Sequence, residues 1–84
     1  MAGKYTPLEH YLRTLPGDQA SITVSFEQIE RILNDKLPPS ACEHRAWWEN
    51  ERDGMHTHAH AWMNAGWLVD SLDQTGRMVR FRRA

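Results

Sequence analysis

Apolar residues near the start of the chain recur at helical spacing and predict a first helix. Its apolar face, at positions i, i+3, i+4 and i+7, consists of Leu8, Tyr11, Leu12 and Leu15. Thr6 is expected to cap this helix, Pro7 suits its first position, and Glu9 completes a capping box with Thr6. Pro16 and Gly17 should end it.

A short strand and a second helix are predicted next. The stretch SITV at 21–24 alternates polar and apolar residues and places Ile22 and Val24 on one side of a strand. Ser25 and Gln28 form a second capping box, so a helix should follow over about residues 26–34. The apolar face of that helix consists of Phe26, Ile29, Ile32 and Leu33.

A third helix is predicted behind a break in the chain. Pro38 and Pro39 interrupt the second helix, because neither has an amide proton to donate. Ser40 and Glu43 then form a third capping box, which predicts a short helix over 41–48.

The C-terminal part of the chain predicts a fourth helix and a β-hairpin. The helix should cover 57–65, followed by Gly66 as a left-handed glycine. Strands should run over 67–72 and 77–82, joined by the turn DQTG. The chain is then one domain over 1–84. Its expected core comprises Leu8, Leu12, Phe26, Ile29, Ile32, Trp62, Trp67, Val79 and Phe81.

This order of elements is α+β and contains the parts of a winged helix-turn-helix. In that fold the last helix before the hairpin usually enters the major groove of DNA. The helix over 57–65 would therefore contact base edges, and the short helix over 41–48 would be an insertion within the helix-turn-helix. Fold analogy is only a prior for function, so the candidate residues must carry the argument.

Two groups of residues are candidates for DNA contact. The outer face of the fourth helix is polar, free of acidic groups and chemically suited to base edges, and it presents Thr57, His60, Ala61 and Asn64. The basic residues of the hairpin could bind phosphates, and they are Arg77, Arg80, Arg82 and Arg83. The simpler alternatives are a solvated helix face and an edge strand that its charges protect from aggregation.

The segment EHRAWWEN allows two interpretations. Adjacent Trp47 and Trp48 would point about 100° apart on a helix, so one of them could be exposed and bind a partner. Arg45 and Asn50 would then belong to the same binding surface. Alternatively, both tryptophans are buried and the segment belongs to the core.

Composition restricts the class of protein. The formal net charge is −1 and 40% of the residues are hydrophobic, so the chain should fold, while overall charge does not steer it towards nucleic acid. The single Cys42 excludes an internal disulfide, which favours a reducing cytoplasm. No apolar run approaches the roughly 20 residues of a membrane span, and no signal peptide is evident. Neither insertion into a membrane nor export is expected.

Metal binding and catalysis are not expected. The residues chemically suited to zinc are Cys42, His44, His56, His58 and His60. Their spacing is unfavourable, because Cys-x-His lacks the usual two-residue gap and helical positions two apart diverge by about 200°. The sequence contains no phosphate loop, nucleophile elbow or paired-carboxylate motif. We therefore expect no cofactor and no enzymatic activity.

Three blocks of the sequence, KYTPLEHYL, LPPSACEHRAWWEN and AWMNAGW, resemble a family of small bacterial domains of unknown function. The resemblance covers nearly the whole chain and implies a winged-helix-like domain that occurs alone or beside other domains. It implies no particular activity. His56, His58 and His60 do not belong to the family's pattern.

The leading hypothesis is a DNA-binding module, either a small transcriptional regulator or an architectural protein. It would use helix 57–65 for base edges and the arginine hairpin for the backbone of double-stranded DNA. The alternative is a protein-interaction domain that uses the Trp-rich segment 40–50. A homodimer is compatible with either hypothesis.

Overall fold

The computed structural model describes residues 3–51 and 58–84 and confirms the α+β class. In chain order its elements are α1 (Thr6–Arg13), β1 (Ser21–Ser25), α2 (Phe26–Leu33), α3 (Pro39–Glu43), a 3₁₀ helix (Arg45–Trp48), α4 (Ala59–Asn64), β2 (Trp67–Asp73) and β3 (Met78–Arg83). Of the helices in this part of the chain, none is long and apolar enough to cross a membrane.

The three strands form one antiparallel sheet in the order β1-β3-β2. β3 is therefore the central strand, although it is the last in sequence. Val79 on β3 pairs with Val24 and Leu72, and Phe81 pairs with Ile22 and Val69. These apolar side chains face the helices, and no helix of the described residues covers the opposite face of the sheet.

One cluster of buried apolar residues holds the helices and the sheet together. Of the nine residues predicted for the core, Ile32 is half-buried and the other eight are buried. The largest fully buried side chains in the core are Trp62, Trp67, Phe26 and Phe81. Aromatic rings thus supply much of the apolar area that a chain of this size can bury.

The capping box predicted at α2 is confirmed. The amide of Gln28 donates to Ser25 Oγ at 3.0 Å, and the amide of Ser25 donates to Gln28 Oε1 at 2.9 Å. α2 ends at Leu33, one residue before the predicted end, because Asn34 adopts the left-handed conformation with φ 55°. The short polar side chain of asparagine tolerates that conformation better than most residues do.

The capping box predicted at α1 is wrong. Tyr5 occupies the N-cap position, and its side chain makes no capping hydrogen bond within the described residues. Glu9 instead accepts a hydrogen bond from Arg13 Nε at 3.1 Å, one helical turn further on. Glu9 therefore belongs to an i, i+4 ion pair on the helix surface, and the amide of Leu8 donates to the carbonyl of Tyr5 at 3.1 Å.

The continuous helix predicted over 41–48 is also wrong. α3 begins at Pro39, behind Pro38 as N-cap, and the extended residue His44 (φ −123°, ψ 116°) separates it from the 3₁₀ helix. On one regular helix, Trp47 and Trp48 would diverge by about 100°. The break at His44 turns the chain so that both indoles enter the core.

α4 is shorter than predicted and ends one residue early, but the glycine expected behind it is present. The helix covers Ala59–Asn64, and the first residue of the predicted range lies outside the described residues. Gly66 follows with φ +86°, and its amide donates to the carbonyl of Met63 at 3.0 Å. The left-handed glycine behind this helix is confirmed, and it leads directly into β2.

Tyr5 attaches the start of the described chain to the aromatic core. Its ring meets Trp47 edge-on, with the ring centroids 5.8 Å apart. Burial raises the pKa of Tyr5 above its ordinary value of 10.0, while the Lys4 ammonium opposes this shift and the Asp35 carboxylate adds to it. The folded protein therefore favours the neutral phenol.

Raising the pH through the range in which tyrosine ionises should destabilise the wild type more than Tyr5→Phe. The unfolded chain releases the phenol proton at a lower pH than the folded protein does. The stability from this group is therefore complete below the unfolded pKa and is lost as the pH rises through the folded pKa. The measurement is urea unfolding of both proteins between about pH 8 and pH 11, a range that includes the ordinary tyrosine pKa of about 10. If the free energies of unfolding of the two proteins changed in parallel with pH, Tyr5 would not have the raised pKa.

Candidate nucleic-acid interface

The open face of the sheet is the surface on the side away from the helices, and its polar side chains come from all three strands. Alternation along β3 buries Val79 and Phe81 and exposes Arg80 and Arg82. The polar residues of the open face include Ser21, Thr23, Ser25, Asp70, Ser71, Asp73, Arg80 and Arg82. Two arginines predicted to contact phosphates are thus neighbours on one exposed surface.

Arg80 and Arg82 share a single carboxylate. Arg80 Nε lies 3.5 Å from Asp70 Oδ2, and Arg82 Nε lies 3.5 Å from Asp70 Oδ1. Each arginine also donates elsewhere, Arg80 to Ser21 Oγ and Arg82 to the Arg83 carbonyl, both at 3.3 Å. About half of each arginine side chain stays exposed, 52% and 51%, so a ligand could reach both.

Arg83 has a structural role. Its guanidinium lies over the Trp67 ring, 4.2 Å from the centroid. It donates to the carbonyl oxygens of Pro16 at 2.7 Å, Gln19 at 3.1 Å and Leu15 at 3.4 Å. These bonds tie the loop between α1 and β1 to the end of the sheet. The expectation that Arg83 contacts phosphate is therefore not supported by its position.

Arg77 lies apart from the open face. It belongs to the turn instead of the predicted strand, with φ 57°, and its carbonyl accepts from the Phe26 amide at 2.9 Å. Its guanidinium is 5.8 Å from the Phe26 ring centroid, so it lies beside α2. The four arginines predicted to act together are thus distributed over three environments.

The outer face predicted for α4 is largely covered. Ala61 is buried, with 5% of its surface exposed, because α1 packs across this side of α4. The prediction that Ala61 is available to a thymine methyl is therefore wrong. His60 is half-buried and Asn64 is exposed, whereas Thr57 lies outside the described residues. Only part of the predicted surface remains accessible.

The structure does not bring α4 and the arginines of β3 to one surface. Trp62 of α4 packs on Phe81 from the core side of the sheet, with ring centroids 5.7 Å apart. Arg80 and Arg82 project from the other side of the same strand. The sheet therefore separates His60 and Asn64 from the paired arginines, and one flat ligand cannot cover both groups.

The Trp-rich segment belongs to the core. Trp47 and Trp48 are 9% and 2% exposed, which excludes the interpretation that one of them is presented to a partner. Trp48 stacks on Phe26 at 5.1 Å, and its Nε1 donates to the carbonyl of Ala41 at 2.8 Å. Arg45 is exposed but donates to the carbonyl of Leu72 at 3.3 Å, so it supports β2.

Asn50 completes the edge of the sheet, a role that the sequence did not reveal. Its Oδ1 accepts from the Val69 amide and from Trp62 Nε1, both at 2.9 Å. Its Nδ2 donates to the carbonyl of Val69 at 3.1 Å. One side-chain amide thus pairs with β2 as a neighbouring strand would, and it also satisfies the buried indole of α4.

His58 lies inside the aromatic cluster. It is 8% exposed, stacks on Trp47 with ring centroids 3.8 Å apart, and its Nε2 is hydrogen-bonded to the Trp47 carbonyl. Over residues 3–51 and 58–84, no three His, Cys, Asp or Glu side chains come together as a metal site. Of the histidines considered as ligands, His56 lies outside the described residues.

The fold and this surface define a small α+β domain whose antiparallel sheet has an open face with paired arginines. The chain belongs to the family described as "Domain of unknown function (DUF7662)", which matches residues 5–84. The expected relationship to a family of domains of unknown function is therefore confirmed. Comparison with curated proteins and with solved structures gave no match.

Proposed function

We propose that this domain binds double-stranded DNA through phosphate contacts on the open face of the sheet. The observation that carries the proposal is the placement of Arg80 and Arg82 side by side on β3, each about half exposed at 52% and 51%. Hydroxyl groups of Ser21, Thr23 and Ser71 flank them on the paired strands. Guanidinium and hydroxyl groups are the side-chain donors that commonly contact phosphate oxygens.

The order of elements supports a winged-helix-like assignment. A helix, a strand, a helix, a further helix and a two-stranded hairpin follow one another, and all three strands join one sheet. Winged helix-turn-helix domains are built from these parts and bind DNA. α3 and the 3₁₀ helix form an insertion between α2 and α4.

The accessible groups favour backbone contacts over base readout. Because Ala61 is buried and α1 covers one side of α4, this helix has little surface to place in a major groove. Phosphate contacts hold a protein on DNA without selecting a sequence. An architectural role therefore agrees better with this surface than a sequence-specific regulator does.

A duplex is favoured over a single strand. Proteins that bind single strands without sequence preference stack bases on exposed aromatic rings. Among the residues that the structure describes, no aromatic side chain lies on the open face, because the rings of β2 and β3 point into the core. The open face thus offers contacts to a backbone and none of the stacking that unpaired bases need.

Replacing both Arg80 and Arg82 by Gln should weaken binding to all duplexes alike and reduce the salt dependence. Each lost phosphate contact should lower the slope of log K against log salt by about 0.9. The measurement is fluorescence anisotropy with a random-sequence duplex at several salt concentrations. The matched control is Arg31→Gln, which removes a 77% exposed arginine of α2 and should leave the slope nearly unchanged.

The same titrations test where the interface lies. Asn64→Ala should leave the affinity and any sequence preference unchanged, whereas base readout by α4 would cost about 1–3 kcal/mol at one position. Thermal melts of each variant control for folding. Absence of binding by the wild type at low salt would reject DNA as the ligand.

A further inference from the structure

Asp70 lies in a β-bulge, outside the regular pairing of the sheet. Val69 pairs with Phe81 and Ser71 pairs with the adjacent Arg80, so Asp70 has no partner on β3. A bulge places an extra residue in one strand and redirects its side chain. Here the redirected carboxylate reaches the two arginines of the open face.

The carboxylate divides its oxygens between the two guanidinium groups. Oδ2 is 3.5 Å from Arg80 Nε and Oδ1 is 3.5 Å from Arg82 Nε. Both distances exceed the about 2.7–2.9 Å of a strong charge-assisted hydrogen bond. Since 38% of the Asp70 side chain is exposed, these are loose ion pairs that water screens, and such pairs are weak.

The two arginine Nε atoms are placed to contact an anion that has two non-bridging oxygens on one central atom. A carboxylate has this form, and so does the phosphodiester group of a DNA backbone. A phosphodiester could therefore make the same two contacts, with one oxygen to each arginine. About half of each arginine side chain is open to solvent, so an anion can approach the pair.

We propose that Arg80 and Arg82 form a single phosphodiester-binding site and that Asp70 occupies this site in the free protein. The inference rests on the proposed function and adds a mechanism to it: DNA must displace an internal competitor. The carboxylate also offsets one of the two positive charges of the arginine pair in the absence of DNA, which limits non-specific attraction to other polyanions.

Asp70→Asn should tighten binding to a random-sequence duplex at low salt by about three- to tenfold, since two weak ion pairs no longer compete. The side chain keeps its size and loses its charge. The matched control is Glu43→Gln, which changes the net charge equally. Within the described residues no basic side chain lies within ion-pair distance of Glu43, so this variant should change affinity less than twofold, as an exposed unpaired charge contributes about that little.

A double-mutant cycle connects the effect to the arginines. In the Arg80→Gln, Arg82→Gln background, Asp70→Asn should give no gain, because the site that Asp70 occupies is then absent. Equal gains from Asp70→Asn and Glu43→Gln would show a general charge effect and overturn the inference. Weaker binding by Asp70→Asn would mean that Asp70 positions the arginines, which also overturns it.

A second probe separates this inference from the proposed function. Inorganic phosphate should shift the Nε–H NMR signals of Arg80 and Arg82, and it should do so more strongly in Asp70→Asn than in the wild type. If phosphate shifts these signals while no duplex binds, the anion site stands and DNA is not its ligand. If duplex binds and phosphate leaves both signals unchanged in either protein, the shared site is rejected.

Discussion

Replacing Trp62 by Ala should lower the free energy of unfolding by about 3–5 kcal/mol, the usual cost of removing a large aromatic side chain from a core. Trp62 is fully buried and contacts two rings of the 3₁₀ helix and one ring of β3. Its centroid lies 5.8 Å from Trp48, 5.7 Å from Phe81 and 6.4 Å from Trp47. The substitution would leave a cavity at the centre of the aromatic cluster and remove the hydrogen bond to Asn50.

This loss is large for so short a chain. Domains are stable by roughly 0.05–0.15 kcal/mol per residue, so Trp62→Ala should remove a large share of the free energy of unfolding. Urea denaturation followed by tryptophan fluorescence and by circular dichroism measures the effect. Trp62→Phe is the control, because it keeps a ring but cannot donate to Asn50, and it should cost less. A loss below about 1 kcal/mol for the alanine variant would contradict the central place of Trp62 in the core.

Replacing Asn50 by Ala should cost about 1–3 kcal/mol, the range for leaving hydrogen-bonding groups without their partners. The variant deprives Trp62 Nε1 and both backbone groups of Val69 of the bonds described above. Part of this cost falls on an exposed strand edge, where water can replace the amide, so the effect should remain smaller than that of Trp62→Ala. The free edge of β2 should also exchange its amide protons faster.

Asn50→Asp separates the two halves of the asparagine amide. The carboxylate still accepts from Trp62 Nε1 and from the Val69 amide, but it cannot donate to the carbonyl of Val69 and would repel it. We therefore expect an intermediate stability, with the Val69 amide protected in Asn50→Asp and exposed in Asn50→Ala. Hydrogen exchange of that amide is the measurement. Equal protection in all three proteins would exclude Asn50 as a partner of the strand.

Trp62 lies on the core side of the sheet and Asn50 lies at the edge of β2, whereas the arginine pair is on the open face. Variants of Trp62 or Asn50 should alter the stability of the fold, whereas variants of Arg80, Arg82 and Asp70 should alter binding with little effect on stability. Exposed ion pairs such as those of Asp70 contribute little to folding. The arginine variants can therefore be tested in a folded protein.

Local sequence signals determined most of the elements. The capping box at Ser25 and Gln28, the left-handed Gly66 and the alternation around Val79 and Phe81 each act over a few residues. Signals of this range are fixed by backbone geometry and by nearest neighbours, so they can be interpreted without knowledge of the rest of the chain. The burial of eight predicted core residues follows from the same patterns.

The spacing of the apolar residues in β2 contains an ambiguous signal for the bulge at Asp70. Val69 and Leu72 both pack against the core, yet they are three residues apart, whereas residues on one face of a regular strand are two apart. This odd spacing indicates a bulge at Asp70 or Ser71. Leu68 is also apolar, however, and lies four residues before Leu72, so the sequence fits a regular strand as well. The contact of Asp70 with two arginines depends in addition on which strand lies beside β2.

Only the tertiary structure decided which polar residues form a surface. The sequence pattern placed Ala61 on an outer face of α4, but α1 covers that residue. The sequence also grouped four arginines, which lie in three different environments in the fold. It also left the exposure of Trp47 and Trp48 open until the break at His44 directed both into the core. The periodicity of a sequence indicates which residues share one side of a helix or strand. The segments that pack against that side come from distant positions in the sequence. Burial, ion pairing and the site itself therefore depend on contacts that no local pattern contains.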